Sequence, residues 1–405
     1  MDVNAVRNDF PILANPVGGK PLVYLDNAAT TQLPVPVIQE WTYHYTYDNA
    51  NVHRGAHTLS ERSSDAYEGA RKIAAAFIGS PSPENIVFTS GTTESINIVA
   101  NGLHLCPGDE ILTTALEHNS NFVPWQRLCE KTGAVLRILP CPDGEIDQNR
   151  FERALSARTV LAAVAHVSNV TGAVARVKEL SALCRAREIL LLVDGAQAIR
   201  SVPVDVLDIG CDYYCFSGHK ALAPSGTGVL YGRTEALERL NPSKTGGGMV
   251  RSVHKETTTF LELPYRLEAG TPNIAGAICF GSALAYIESL GRADITLREK
   301  MLTSYMESKL RQIDGLRIMG NPRERTGVVS FAVDSLHPYD IACILNEKGV
   351  AVRTGSHCAH LIHREMGLES TIRASVAFYN TVEEIDCLCD GLLFAIALLK
   401  KWRTS

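Results

Sequence analysis

The sequence predicts an α/β fold, with a large three-layer domain followed by a smaller α+β domain. Short apolar runs alternate with amphipathic stretches from about residue 85 to residue 232, and this alternation weakens after about residue 260. Near-continuous hydrophobic strands that alternate with helices are typical of a mostly parallel sheet covered on both faces. We therefore expect the large domain over residues 22–285. The small domain is expected over residues 286–405, with residues 1–21 packed on it.

Seven strands are predicted in the large domain. They cover residues 85–88, 110–115, 135–139, 159–167, 189–194, 212–217 and 227–232. The last of them, TGVLYG, is expected to run antiparallel, because the connection before it is too short for a helical crossover. In the small domain, strand-like VVSFAVD (328–334) and VAVRTG (350–355) precede a closing helix, EEIDCLCDGLLFAIALLKKW.

The composition argues against several classes of protein. The 405 residues carry a net charge of −5, so nothing indicates nucleic-acid binding. The start, MDVNAVRNDF, has no apolar run typical of a secretory signal, and no stretch approaches the roughly 18 apolar residues of a membrane span. The eleven cysteines follow no disulfide or zinc-site spacing. We expect a cytoplasmic protein with free thiols and no metal.

Chemically useful side chains follow five of the predicted strands. Ligands of open α/β sheets bind beyond the carboxyl ends of the strands, so these side chains are expected to converge on one edge. Each of them alone is compatible with a structural role, and their convergence is what predicts a site. They are Thr92 and Thr93, His118, Asn169, Asp194 with Gln197, and Ser217 with His219 and Lys220.

Three of these positions suggest a particular cofactor. SGTTES places Thr92 and Thr93 at a helix start, which suits a phosphate but is also typical of an ordinary N-cap. Asp194 ends an apolar run and needs a cationic or hydrogen-bonding partner, although it too is compatible with a helix cap. Lys220 is either an exposed loop lysine or, if partly buried, an amine able to form a Schiff base. Together, an anion site, an acid and an amine are what pyridoxal phosphate (PLP) requires.

Nine segments occur in the order found in one known family. They are DNAATTQ, VHRGAHTLS, SGTTESIN, EHNSNFVPW, HVSNVTG, DGAQA, FSGHK, EAGTPN and RTGSHCA, and the match runs from about residue 5 to residue 398. The chain thus resembles the group II cysteine desulfurases and selenocysteine lyases, which are PLP-dependent transferases of fold type I in the class V aminotransferase group. RTGSHCA is the segment that narrows the resemblance to the desulfurases.

The resemblance implies a function and a set of partners. The expected reaction converts L-cysteine to L-alanine and leaves a persulfide on Cys358. The sulfur then passes to an acceptor protein of the SufE or SufU kind, with iron–sulfur cluster assembly as the expected use. Arg373 follows Cys358 by only fifteen positions, which is typical of the family's short-loop branch. A homodimer is also implied.

The resemblance also implies a role for each site residue. Lys220 would be the Schiff-base lysine and Asp194 would pair with the pyridinium nitrogen. His118 would stack on the ring and act as a catalytic residue in proton transfer at the sulfur or Cα. Arg373 would bind the substrate carboxylate, and Arg353 would lie near the pocket mouth. The remaining positions are Gln197 at the ring oxygen, Asn169 beside the ring, Thr92, Thr93, Ser217 and His219 at the phosphate, Thr271 from the second subunit, and His53 with Arg54 at the dimer interface.

Cys358 lies in a polar segment, RTGSHCAHLI, whereas most of the other cysteines have apolar neighbours. The resemblance implies that it is the sulfur-accepting nucleophile on a mobile loop, with Gly355 and Ser356 supplying freedom of movement. The active form is the thiolate, which His357 and His360 are expected to favour. Without the resemblance, a chance loop cysteine or a redox sensor is equally compatible with the sequence.

Some features depart from the family pattern, and alternatives stay open. Asn119 stands where a second histidine is often found, Ser356 replaces a commoner His or Gln, and His360 begins a His-Leu pair in place of Gln-Pro or Met-Pro. A selenocysteine lyase would use the same scaffold. A class V aminotransferase or epimerase would share Asp194 and Lys220 without needing Cys358. A non-catalytic sulfur-relay protein is a further alternative, which retention of the whole constellation argues against.

Overall fold

The computed structural model describes residues 1–404, with side chains described as far as residue 402. The helices are α1 (Val3–Arg7), α2 (Val35–Tyr43), α3 (Thr58–Phe77), α4 (Thr92–Gly102), α5 (Val123–Thr132), α6 (Gln148–Ala154), α7 (Val177–Arg185), α8 (Ala198–Ser201), α9 (Val206–Ile209), α10 (Thr234–Glu238), α11 (Ile274–Leu290), α12 (Arg292–Leu310), α13 (Pro338–Asn346), α14 (His360–Glu365) and α15 (Val382–Thr404). The strands are β1 (Val23–Tyr24), β2 (Ile86–Thr89), β3 (Glu110–Thr114), β4 (Val135–Leu139), β5 (Thr159–Ala165), β6 (Leu190–Asp194), β7 (Tyr213–Ser217), β8 (Gly228–Gly232), β9 (Val250–Val253), β10 (Thr258–Phe260), β11 (Leu316–Ile318), β12 (Val328–Val333), β13 (Val350–Ala351), β14 (Arg353–Gly355) and β15 (Thr371–Ser375).

A seven-stranded sheet forms the centre of the large domain. Its order is β2-β8-β7-β6-β5-β3-β4, and the strands from β7 to β4 are parallel. β8 runs antiparallel to both of its neighbours, as the short connection before it predicts. Residues of β5 and β6 contribute to hydrophobic clusters on both faces of the sheet. The predicted three-layer α/β domain and its seven strands are therefore confirmed.

A second, antiparallel sheet of four strands forms the smaller C-terminal domain. Its order is β11-β12-β15-β14, and its apolar face shares a core with residues of α12, α13 and α15. The prediction of one continuous strand over residues 350–355 is wrong. β13 pairs in parallel with β1, whereas β14 pairs with β15. The extended pattern is present, but its two halves serve different sheets, which an apolar pattern alone does not reveal.

The N-terminal segment packs where the two parts of the chain meet. The Phe10 ring is fully buried and contacts the rings of Tyr286, Phe378 and Tyr379. Arg7 donates from Nη1 to the carbonyl of Tyr379 at 2.6 Å. These contacts join the N-terminus to residues of the C-terminal part of the chain. The domain boundary at residues 285 and 286 stays a prediction.

Two further properties of the described residues bear on function. Across residues 1–404 no helix by itself has the length and apolar character to cross a membrane, and only α11 taken with α12, bent by 79°, meets those criteria. Among the same residues no cluster of three or more His, Cys, Asp or Glu side chains suits a metal ion, and all eleven cysteines are free.

Candidate active site

A cavity of about 230 Å³ lies where β5, β6 and β7 end. Because these strands are parallel, the loops that follow them meet at one edge of the sheet, which is the expected place for a ligand. The small domain supplies the opposite wall. The predicted residues that line the cavity are Thr92, Thr93, His118, Asn169, Asp194, Gln197, Ser217, His219, Lys220, Arg353, Cys358 and Arg373.

Lys220 and Asp194 both line the cavity, and each affects the pKa of the other. Lys220 ends a short 3-10 turn that follows β7, and burial lowers the pKa of its amine to about 8, against the opposing effect of Asp194. Burial raises the pKa of the Asp194 carboxyl, an effect that Lys220 opposes. The Asp194 Oδ1 atom accepts a hydrogen bond from the Ala196 amide at 2.9 Å. The cavity thus contains a reactive amine together with a buried acid whose charged form a cationic partner would stabilise.

The N-terminus of α4 forms a polar cradle beside this pair. The Thr92 amide donates to Ser217 Oγ at 2.8 Å, and the two hydroxyl oxygens lie 2.7 Å apart. Gly91 adopts a φ of +150°, and a Cβ added at Gly228 would lie 2.4 Å from its Cα atom. The two backbones can approach this closely because Gly228 has no Cβ atom, and the positive φ of Gly91 also favours glycine. A helix N-terminus with hydroxyl groups is suited to hold a phosphate.

His118 lines the cavity, and its imidazole is neutral at pH 7. Its Nδ1 atom accepts from the Ser120 amide at 3.1 Å, so the ring hydrogen of the neutral form lies on Nε2. Burial, then the charges of Lys220 and Arg373, lower its pKa to about 3. Ser120 Oγ in turn lies 2.7 Å from Thr93 Oγ1, which ties His118 to the phosphate cradle.

Two further predicted residues are fixed by backbone groups. Gln197 donates from Nε2 to the Ala28 carbonyl at 2.8 Å, and Ala28 also lines the cavity. The His219 carbonyl accepts from the Thr31 amide at 2.8 Å, and burial lowers the pKa of the His219 imidazole to about 4. The DNAATTQ segment therefore forms one side of the cavity.

Arg373 is buried on β15 at the small-domain wall, with 2% of its surface exposed. It donates from Nη2 to Asp26 Oδ1 at 3.2 Å and from Nη1 to the Asn169 carbonyl at 3.1 Å. Among the described residues its Nε atom has no hydrogen-bond partner. A guanidinium has five N–H groups, so this arginine keeps donors for a carboxylate. Sequence reasoning missed Asp26, although DNAATTQ contains it.

Cys358 enters the cavity from a strained loop. His357 and Cys358 both have left-handed backbones, with φ values of +52° and +56°. The His357 carbonyl accepts from Asn169 Nδ2 at 2.7 Å, and the Cys358 carbonyl accepts from the Asn119 amide at 2.6 Å. Non-glycine residues in this region cost free energy, so the surrounding contacts must hold the loop in place.

His357 is expected to favour the thiolate of Cys358, but it carries no positive charge with which to do so. Burial, then the charge of Arg373, lowers the pKa of His357 to about 2, so this imidazole is neutral at pH 7. Its Nε2 atom is hydrogen-bonded to Thr371 Oγ1 at 2.9 Å. The cationic side chains that line the cavity together with Cys358 are Lys220, Arg353 and Arg373. Lys220 lies far from Cys358 in sequence, whereas Arg373 follows Cys358 by fifteen positions.

Thr271 does not line this cavity. It borders a separate surface pocket of about 570 Å³, together with His53 and Arg54. From that position Thr271 is able to face a neighbouring subunit. The contribution of Thr271 to a second site stays a prediction.

The residues of the cavity fit pyridoxal phosphate. The amine of Lys220 is available to the aldehyde, and the buried acid of Asp194 gains a cation from the pyridinium nitrogen. The glycine-lined cradle at Thr92 and Ser217 suits the phosphate. Each of the three groups of the cofactor thus has a matching partner.

Fold and site together define a class of PLP-dependent α/β enzymes, and comparison with known proteins agrees. The family profile described as "Aminotransferase class-V" matches residues 23–388. The chain belongs to this family.

Relatives and solved structures resemble the chain over nearly its whole length. The "Probable cysteine desulfurase" of Halalkalibacterium halodurans is 43% identical over 396 residues, which are 97% of each protein. The apo structure of the cysteine desulfurase from Thermococcus onnurineus NA1 has a TM-score of 0.92 and 37% identity, and covers 97% of this chain and 98% of that one. A C-DES mutant with glycine covalently linked to its PLP cofactor has a TM-score of 0.83 and 25% identity, and covers 95% and 98%.

Some relatives are longer than this chain. It spans 57% and 64% of the length of two mycobacterial relatives, both named as probable cysteine desulfurases, which are 46% and 45% identical to it.

Proposed function

We propose that this chain is a PLP-dependent cysteine desulfurase. It converts L-cysteine to L-alanine and keeps the sulfur as a persulfide on Cys358. The observation that carries the proposal is that Lys220 and Cys358, 138 residues apart, line the same cavity. An aminotransferase needs the amine and the acid of this site, but its reaction does not use a thiol in the same cavity as the arginine proposed to bind the carboxylate.

The proposal gives each polar residue a binding role. Lys220 would bond to the aldehyde of the cofactor, and Asp194 would pair with the pyridinium nitrogen. His118 would cover one face of the ring. Gln197 would contact the ring oxygen, and Asn169 would lie beside the ring. The phosphate would be held by Thr92, Thr93, Ser217 and His219, with Thr271 contributed by a second subunit.

Substrate binding depends on the small domain. Arg373 holds the carboxylate of L-cysteine, which directs the substrate side chain toward Cys358. Arg353 lines the cavity on the same wall and adds positive charge. Both arginines lie on strands that pair with each other, because Arg353 is opposite Arg373 in the β14–β15 ladder. The separation of the carboxylate site from the amine site orients the substrate.

The bound cofactor supplies an electron sink for a substrate that loses its Cα proton. Lys220 would take the Cα proton, and its lowered pKa suits this task near neutral pH. The Cys358 thiolate attacks the sulfur atom of L-cysteine. The Cβ–S bond breaks, its electron pair stays with the substrate carbon, and an S–S bond forms on Cys358. Proton return to Cα and Cβ completes alanine.

We also propose a homodimer. Large hydrophobic side chains are exposed along α2 and the turn after it, and include Trp41, Tyr43, Tyr45 and Tyr47. Such a patch is typical of an interaction surface. A dimer would also explain why Thr271 lies outside the cavity of its own chain. The persulfide then passes to a SufE-like or SufU-like acceptor, for use in iron–sulfur cluster assembly in the cytoplasm.

Substitution of the thiol tests the proposed function. Cys358→Ala is expected to bind the cofactor and show its absorbance band while losing nearly all alanine and sulfide formation from L-cysteine. Cys343→Ala removes an exposed cysteine and serves as the matched control. Full activity on L-cysteine in Cys358→Ala would contradict the proposal.

A further inference from the structure

Three residues that depart from the family pattern lie in one chain of hydrogen bonds. His360 Nε2 lies 3.0 Å from Ser356 Oγ, and His360 Nδ1 lies 3.3 Å from the side-chain amide nitrogen of Asn119. One imidazole ring thus bridges two side chains that are distant in sequence. The sequence gives no reason to connect these positions, and their contact appears only in the fold.

These hydrogen bonds involve residues on both sides of Cys358 in the loop. Ser356 and His360 flank Cys358 by two residues on either side, and the Ala359 amide donates to the Ser356 carbonyl at 2.9 Å to close the turn. Asn119 contacts the loop twice, since its side chain reaches His360 and its backbone amide donates to the Cys358 carbonyl at 2.6 Å. The loop is therefore attached to the turn that follows His118.

The backbone of the loop needs such support. The left-handed conformations of His357 and Cys358 are unfavourable for side-chain-bearing residues, and two in succession are more so. Asn169 secures the first of them through the His357 carbonyl. The Asn119 amide holds the second through the Cys358 carbonyl, and His360 links the Asn119 side chain to Ser356.

We propose that Asn119, Ser356 and His360 are positioning residues that hold Cys358 at the cavity for attack on the substrate sulfur. This inference rests on the proposed function, in which Cys358 accepts sulfur. The side-chain contacts are exposed to solvent, and each such hydrogen bond changes an equilibrium by a factor of about 2 to 10. We call the hydrogen bonds of Asn119, Ser356 and His360 the clamp. Hydrogen bonds of that strength favour the position of Cys358 at the cavity and still allow the loop to open for sulfur transfer.

The test compares holoenzymes carrying Ser356→Ala or His360→Ala with Ser356→Thr, which keeps the hydroxyl group. His104→Ala, at an exposed histidine outside the cavity, is the second control. Hydrogen–deuterium exchange of residues 353–362 measures opening of the loop. Alanine formed in the first turnover, without acceptor or reductant, measures the attack step alone.

We expect both alanine variants to exchange their loop amides about threefold to tenfold faster than the unsubstituted enzyme. First-turnover alanine formation should slow by a similar factor, while KM for L-cysteine and the cofactor absorbance stay unchanged. Ser356→Thr and His104→Ala should behave as the unsubstituted enzyme does. Unchanged loop exchange, or faster exchange with no loss of first-turnover rate, would overturn the clamp.

Failure of the clamp and failure of the proposed function are distinguishable. If Cys358 takes no sulfur, the Cys358→Ala enzyme forms alanine at the normal rate whatever the loop does. If Cys358 does take sulfur, that variant is inactive, and the exchange and first-turnover measurements then judge the hydrogen bonds of His360 to Ser356 and Asn119 alone.

Discussion

Arg373 Nη2 lies 3.2 Å from Asp26 Oδ1, so a carboxylate from the start of the chain holds the buried guanidinium that faces the cavity. Burial lowers the pKa of Arg373, and Asp26 opposes that effect. The contact crosses from the segment before α2 to the small-domain sheet. It explains how an arginine with 2% exposure stays charged and oriented for a substrate carboxylate.

Removing this partner is predicted to weaken substrate binding. Asp26→Asn should raise KM for L-cysteine about tenfold, because Arg373 loses the charge that fixes its orientation. The cofactor absorbance should be unchanged, since Asp26 is not one of the residues that line the cavity. Steady-state kinetics measures the effect, with the exposed Asp314→Asn as control. A change in kcat with constant KM would show that Asp26 does not act through substrate binding.

Capture of the cofactor by the apoenzyme should depend on pH through Lys220. Burial lowers the pKa of this amine to about 8, and only the neutral amine attacks an aldehyde. The rate of PLP uptake should therefore rise as pH increases from 6 to about 8 and level off above it. Rapid-mixing absorbance follows the reaction. A rate that continues to climb through pH 10 would indicate an ordinary, solvated lysine.

The carboxyl group next to His118 is predicted to make stability pH-dependent. Burial raises the pKa of Glu117 to about 8, and its oxygens accept from Thr114 Oγ1 at 2.6 Å and Asn121 Nδ2 at 2.5 Å. Because the pKa is higher in the folded state, this group's favourable contribution is complete below about pH 4.5. It falls as pH rises toward 8.

Thermal unfolding of Glu117→Gln tests this dependence. The variant cannot ionise at this position. The difference between its Tm and that of the unsubstituted apoenzyme should therefore increase in its favour by several degrees as pH rises from 5 to 8. The slope with pH is the quantity to compare, since the new amide also changes the hydrogen bonds to Thr114 and Asn121. Parallel curves for the two proteins would mean that Glu117 is ionised throughout.

The N-terminal segment is predicted to stabilise the junction between the two parts of the chain. Phe10→Ala removes a fully buried ring from contact with Tyr286, Phe378 and Tyr379. A loss of about 3 to 5 kcal/mol is typical of such a change and should lower the Tm by about 5 °C or more. Ile12→Ala, at a side chain with 42% exposure, is the control. Equal Tm values for both variants would mean that residues 1–21 contribute nothing to the junction.

Much of the site was predictable because it is built on strand ends. Asp194, Ser217 and Lys220 follow apolar runs whose length and β-rich composition identify strands, and parallel strands bring their carboxyl ends together. The residues near Lys220 in the fold could thus be inferred from local patterns. Placing Cys358 there required the family resemblance, because nothing local indicates that its loop closes over the large domain.

The missed features depend on contacts between distant parts of the chain. Asp26 could not be paired with Arg373 from sequence. The backbone of Asp26 meets β15 through an isolated bridge to Ser375, and Asp26 lies in no recognisable strand. The neutral state of His357 likewise follows from burial against Thr371 and Arg373. A polar loop sequence indicates an exposed histidine, whereas the fold buries this one.

The most direct test follows the sulfur atom itself. L-cysteine carrying a sulfur isotope is given to the holoenzyme without acceptor or reductant, the thiols are alkylated, and peptides are analysed by mass spectrometry. We expect one labelled sulfur on the Cys358 peptide for each alanine formed, and none on the exposed Cys343. Alanine formation with an unmodified Cys358 and labelled sulfide in solution would contradict it.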